Sequence, residues 1–311
     1  METAVVATAI TVMGLMVALG VFLSYKVHIT TETKQLLVVV VLNIAVPSVI
    51  LNGVFNTDVS DQLLRQVGII FGLSIIFHLG AIVFALLFAK IAGFRSTFAK
   101  RMTVLAALGN TGFIGIPLCA TIFGPTGGLL AAIFDAGLDF VIFTVGLYLL
   151  QSGRSFRLKQ LKSLINLPLA AVIIGISSAF LELEPPAVIR QLVELLSGLA
   201  APLAMLYTGI LLQQLLRRTG FRVYPQIWFP LTVRLLAIPA LTLTILPFIP
   251  LEEMTRNVVI VLSGMPTFML AAILFTRYTD DEDSAVMTIS FSTILSMGTI
   301  PLVVYAASFL F

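Results

Sequence analysis

The chain has 311 residues, 59% hydrophobic and 11% charged, with a mean hydropathy of +1.09 and a formal net charge of +3. Soluble domains are closer to half apolar and a quarter charged, so this composition calls for lipid as the main solvent. The small basic excess falls in short connections and gives no nucleic-acid surface, and the single cysteine, Cys119, excludes a disulfide framework or a cysteine-based zinc site.

A membrane crossing takes about 20 apolar residues. Windows bounded by charged or turn residues predict ten spans, at 3–23, 35–55, 67–90, 102–123, 128–150, 164–181, 191–215, 227–249, 256–276 and 285–308. Ten spans leave little room for a soluble domain. The opening stretch, "METAVVATAITVMGLMVALGVFLSY", has an acidic n-region and no small-residue cleavage signal, and reads as a retained first helix.

Lysine and arginine set the orientation. The odd-numbered connections hold Lys26, Lys34, Lys90, Arg95, Lys100, Arg101, Arg154, Arg157, Lys159, Lys162, Arg217, Arg218, Arg222 and Arg277. The even-numbered ones hold only Arg65, Arg190 and Arg256. Odd connections therefore face the cytoplasm, and both termini lie on the extracytoplasmic side of the plasma (inner) membrane. The acidic run "RYTDDEDS" at 277–284 leaves this orientation standing, because acids contribute little to it, and reads as a solvated linker, with a divalent-ion role as the alternative.

The most basic connection, "SGRSFRLKQLKS", divides the spans into five and five: 1–152 as the first repeat, 153–163 as a basic cytoplasmic linker and 164–311 as the second repeat. Span 2 has Pro47 and span 7 has Pro202 near their middles; span 4 has "GNTGFIGIPL" and span 9 has "VLSGMPTFML". Pro202 follows Pro47 by 155 residues and Pro266 follows Pro117 by 149, a difference no larger than a short loop. An odd number of spans per half inverts the second copy. The expected fold is an all-α polytopic membrane protein of two inverted five-helix repeats, an organisation common in secondary transporters.

The interruptions carry the functional reading. A proline in a helix interior costs about 3 kcal/mol, and carbonyls freed in lipid are tolerated only where protein or an aqueous cavity covers them. Broken helices 4 and 9, crossing at mid-membrane, would present amides from one half-helix and carbonyls from another, with roughly half a charge at each end. Gly109, Asn110, Thr111, Gly112 and Pro117 in span 4, with Gly264, Met265, Pro266 and Thr267 in span 9, are the candidate substrate-binding residues. The plainer reading of any one proline is a kink.

Here the sequence resembles the auxin efflux carrier family, in its bacterial branch, on "GNTGFIGIPL", the mid-span proline of span 9 and the ten-span length. The resemblance implies a carrier of small organic anions, with the fold of bile acid:sodium symporters and sodium/proton antiporters. It implies a scaffold domain (helices 1, 2, 6 and 7) and a transport domain (helices 3–5 and 8–10) moving as an elevator, with helices 4 and 9 crossing at Pro117 and Pro266. Carriers of this fold are often homodimers. The plant members' long central loop is replaced here by about a dozen residues, which argues against auxin itself.

Asp135 and Asp139, in "IFDAGLDFVIF", lie four apart on one helical face, where two charges would repel. An isolated carboxylate at mid-bilayer costs about 2.5–3.5 kcal/mol. The functional reading is ion coupling: proton loading, or Na⁺ held at Asn110, Thr111 and Asp139. The structural one is an inter-helix hydrogen bond. His78 in span 3 either shares a proton with an aspartate or bonds across a helix interface. Arg234, about two turns into span 8, either meets a substrate carboxylate or snorkels to the headgroups. Asn43 and Asn52 flank Pro47 as inter-helix bonds or cavity wall.

The expected activity is secondary active transport of a small organic anion coupled to H⁺ or Na⁺, with no other cofactor and no enzymatic role. Two other classes compete with it. An intramembrane enzyme has few ligands to draw on, with two histidines and an acid pair on a single helix. A channel needs a continuous path rather than paired breaks. ATP-driven pumping is excluded by the lack of a G-x-x-x-x-G-K-[ST] loop.

Overall fold

The computed structural model describes residues 3–57, 61–151, 166–219 and 225–310. The basic linker expected at 153–163 lies outside them. Among the described residues all regular structure is helical, apart from one isolated antiparallel bridge between Gly109 and Thr267.

The first half contains α1 (Thr3–Lys26), α2 (Thr31–Val40), α3 (Val46–Phe55), α4 (Asp61–Ile91), α5 (Ser96–Ala107), α6 (Ile116–Val141) and α7 (Leu147–Leu150). The second contains α8 (Leu167–Phe180), α9 (Ala187–Ser197), α10 (Ala200–Thr219), α11 (Trp228–Thr232), α12 (Ile238–Ile245), α13 (Glu253–Ser263), α14 (Ala271–Tyr278) and α15 (Glu282–Ala307). Seven helical runs among the described residues are long and apolar enough to cross a membrane, and α8 is a shorter apolar helix. The protein is an integral membrane protein. Its outward-facing Leu15, Ile76, Val188 and Phe248 are exposed where lipid would cover them.

One of the seven runs, Thr111–Leu150, has 40 residues. Straight, it would extend about 60 Å, twice the hydrocarbon thickness. It folds back on itself instead. Gly124 takes φ 74°, ψ −168°, and Pro125 follows. A Cβ on Gly127 would stand 2.9 Å from the carbonyl oxygen of Cys119, and one on Gly128 would stand 2.9 Å from Cβ of Ala120. Residues 116–123 and 125–141 are therefore two arms of a helical hairpin, held close by glycines.

Four span prolines sit where a helix tolerates them, whereas Pro301 lies inside α15. Pro47, Pro117 and Pro239 occupy the first turns of α3, α6 and α12, and each follows a π-helical turn (Val41–Ala45, Thr111–Gly115 and Val233–Ala237). The extra residue of a π turn displaces the carbonyl that the proline ring would otherwise strike. Pro202 lies in the first turn of α10, and the break in that run falls earlier, between Ser197 and Ala200. There a missing N–H costs little.

The closest helix packing is between α1 and α10. A Cβ on Gly20 would lie 2.2 Å from the Leu206 carbonyl oxygen, and one on Gly209 would lie 2.0 Å from that of Val17. The two backbones touch with no side chain between them.

Candidate substrate cavity at the helix crossing

α5 stops at Ala107 because Leu108 turns extended (φ −101°, ψ 123°). α13 stops at Ser263, with Gly264 as its C-cap, and regular helix resumes at α14. The two gaps meet. Asn110 N–H donates to the Pro266 carbonyl at 2.7 Å, and Phe268 N–H donates to the Leu108 carbonyl at 3.2 Å. Thr267 adds a hydroxyl bond to the Leu105 carbonyl (3.0 Å), and its N–H donates to Ser292 Oγ on α15 (3.0 Å). The crossing thus runs through Leu108–Asn110 and Pro266–Phe268, ahead of Pro117, which is seven residues beyond Asn110.

Arg234 serves this crossing. Its side chain is fully buried, so it does not snorkel, and it is absent from the cavity wall. Nε donates to the Met265 carbonyl at 2.9 Å, Nη1 to Ala107 at 2.9 Å and Nη2 to Ser263 at 2.5 Å. Ala107 and Ser263 are the last residues of α5 and α13, so one guanidinium neutralises the negative ends of both helices. Distance to the span end suggested a path to the headgroups, but neighbouring carbonyls hold the side chain inside.

On the other side of the gap lies a cavity of about 620 Å³. Gly109, Asn110, Gly112 and Phe113 line it at the crossing, Asp135 and Asp139 from α6, and Phe268, Met269 and Leu270 from the second gap. Its wall extends through Asn43, Asn166, Tyr207 and Gln214 to Lys34, Glu282 and Asp283, the last two exposed. Asn110 caps the turn that follows it, accepting from Phe113 N–H at 3.3 Å through Oδ1. Its Nδ2 is buried, with no partner among the described residues. Phe113 and Tyr207 meet edge to face with centroids 5.3 Å apart.

The two carboxylates are held differently. Thr111 Oγ1 donates to Asp135 Oδ1 at 2.5 Å, and a Cβ on Gly112 would stand 2.7 Å from Asp135 Oδ2. Asn166 Nδ2 donates to Asp139 Oδ2 at 2.9 Å. Thr111 therefore bonds Asp135, not the Asp139 with which sequence reasoning grouped it. A chamber of about 20 Å³, room for one water-sized occupant, adjoins both acids and Asn166. Among the described residues no cluster of three or more His, Cys, Asp and Glu could hold a metal ion.

The other expected residues lie elsewhere. Gly264, Met265, Pro266 and Thr267 build the crossing and do not line the cavity. Pro117 lines a separate cavity of about 180 Å³ with Asn52, Thr121, Pro125 and Gly198. His78 is fully buried beside Phe77 and Phe134 and is not on the wall of the large cavity. Its Nδ1 lies 2.7 Å from the Ser74 carbonyl, which only accepts, so Nδ1 carries the proton and Nε2 is left unpaired among the described residues. Asn166, Tyr207 and Gln214 carry no signal used in the sequence analysis, and Lys34, Glu282 and Asp283 enter it only as parts of connections. Several border connections on the basic side of the chain, a signal that was available for them.

Comparison with known proteins finds relatives among transporters. The chain is 29% identical over 296 residues to an "Uncharacterized transporter" of Methanothermobacter thermautotrophicus, covering 92% of this chain and 93% of that one. It is 27% identical over 301 residues to another from Methanocaldococcus jannaschii, covering 93% and 94%. Over 246 residues it is 25% identical to a protein of Rhizobium meliloti named "Putative malonate transporter", covering 72% and 73%. Residues 5–304 match the family described as membrane transport protein. The chain belongs to that family, the family of the auxin efflux carriers.

Proposed function

We propose that the protein is a secondary active transporter of small carboxylates, driven by H⁺ or Na⁺. The observation that carries this reading is the pairing, in one cavity, of a half-helix start with two carboxylates. The start of the 111–115 turn, with the unpaired Nδ2 of Asn110, offers hydrogen-bond donors and a partial positive charge to an anion. Asp135 and Asp139 stand on the same wall. An anionic substrate would add negative charge beside two carboxyl groups on one wall, and a cation entering with it, H⁺ or Na⁺, would offset that charge. The relative named for malonate supports a small carboxylate as the cargo.

The proposed topology is ten spans in two inverted repeats, with both termini extracytoplasmic and the two crossed gaps at mid-membrane. The paired breaks, the hairpin at Gly124 and the distribution of lysine and arginine support it. In that topology the large cavity faces the cytoplasm, because Lys34, Asn166, Glu282 and Asp283 adjoin odd-numbered connections. The small cavity faces outward, because Asn52, Pro125 and Gly198 adjoin even-numbered ones. Elevator movement of α4–α7 and α11–α15 against the remaining helices would exchange the two. Dimerisation through the static helices is part of the same proposal.

Reconstitution into liposomes tests it. Malonate and related mono- and dicarboxylates are offered under imposed H⁺ or Na⁺ gradients, and gradient-dependent accumulation is expected. Asp139→Asn is expected to insert normally and to lose the gradient dependence. Uptake by this variant with the parent's dependence on pH and Na⁺ would remove Asp139 from the coupling step.

A further inference from the structure

We infer that Asn166 is a positioning residue that couples the charge on Asp139 to the start of α8, the first helix of the second half. This inference rests on the coupled-transport reading. Both ends of the Asn166 amide are engaged: Oδ1 accepts the Leu169 N–H at 2.8 Å, capping α8, and Nδ2 donates to Asp139 Oδ2 at 2.9 Å. Only this orientation matches donors with acceptors, because turning the amide over would set donor against donor and acceptor against acceptor. One side chain therefore ties the acid of α6 to the N-terminus of α8, a link between the two halves of the chain.

The groups around Asp139 decide what this link responds to. Asp135 lies one turn earlier on α6, and Lys34, Glu282 and Asp283 stand around the same cavity, with Lys34 Nζ bonded to Gln214 at 2.9 Å. An ionised Asp139 accepts from Asn166. A proton on the carboxyl group removes the charge and weakens the bond that Oδ2 accepts from Asn166, and a sodium ion at the same oxygen draws on the same lone pairs. Asn166 cannot compensate by rotating, because its Oδ1 is committed to the helix cap. Ion loading therefore weakens the tie between α8 and α6. The chamber of about 20 Å³ between Asp135, Asp139, Asn166 and Leu169 lies where that ion or an accompanying water would sit.

Capping and latching are separable by mutation. Serine and threonine also cap helices, but neither reaches Asp139 from the cap position. The full-length protein carrying Asn166→Ser is reconstituted, and both its melting temperature and the half-saturating concentration of the driving ion (H⁺ or Na⁺, whichever drives the parent) are measured. The melting temperature is expected to stay near the parent's. The half-saturating concentration is expected to fall about tenfold, the scale of one lost hydrogen bond to a charged group, because the ion no longer competes with Asn166. Asn166→Ala, which loses both roles, is expected to change both readouts, and Asn166→Thr replaces the serine variant should that fail to fold.

An unchanged ion dependence in the capping variant would overturn the latch. Asp139→Asn, measured alongside, separates the two failures. Should it abolish ion dependence while Asn166→Ser keeps the parent's profile, the latch falls and the coupled-transport reading stands. Should the parent itself show no ion-driven flux, the reading falls and the latch with it.

Discussion

The guanidinium of Arg234 lies face-on to Gly109: a Cβ at that position would be 3.2, 3.3 and 3.4 Å from Cζ, Nη2 and Nη1. The near-equal distances place the plane of the side chain against the backbone of the first gap, while its edge reaches carbonyls of both half-helices. A cation that gives three of its N–H donors to backbone carbonyls at the ends of two helices is part of the frame on which the cavity is built.

Replacing Arg234 should therefore cost stability before it costs affinity. Arg234→Met strands three carbonyls, and a buried unpaired polar group costs about 1–3 kcal/mol. The variant is expected to melt well below the parent in detergent, or to accumulate poorly. Arg234→Lys, with one nitrogen in place of a planar fork, is expected to fall between them. Parental melting of the methionine variant would show that the crossing holds without this side chain.

Gly112 should behave in the opposite way. A methyl group there meets both Asp135 oxygens, at 2.7 and 3.0 Å, and the carboxylate must turn away from Thr111. Gly112→Ala is expected to keep most of the parent's stability and to lose most of its gradient-driven flux. A parallel Gly112→Ser variant should do the same. Parental flux in both would mean that Asp135 needs no fixed position.

Thiol labelling can assign the two cavities to membrane faces. Cys119 is buried, so the parent is a nearly unreactive background. Asp283→Cys at the mouth of the large cavity and Gly198→Cys beside the small one are expected to react with a membrane-impermeant maleimide from opposite faces, position 283 from the cytoplasmic face. Labelling of both from one side would contradict the inverted arrangement.

Some of this architecture was legible in the residues. Glycine and proline inside apolar windows marked both gaps, and the spacing of four put Asp135 and Asp139 on one wall. Which gap residues would face the cavity was hidden, because the first interruption falls upstream of Pro117 whereas the lining residues of the second, Phe268, Met269 and Leu270, follow Pro266. Pro117 is accommodated by a π turn, and the actual interruption is at Leu108–Asn110. Arg234 was misread because counting residues to the end of a span measures depth and says nothing of neighbours. Asn166 could have been proposed as a helix cap from "NLP", but the acid opposite it lies 27 residues earlier and becomes adjacent only where α8 packs against α6.

The glycine contact between α1 and α10 has a mechanical consequence. Main chain pressed against main chain leaves no compressible layer, so sliding by even one residue would drive a carbonyl into a neighbouring Cα. These two helices must behave as a single keel, and whatever slips during a working cycle has to do so along seams padded by side chains, such as Phe113 on Tyr207.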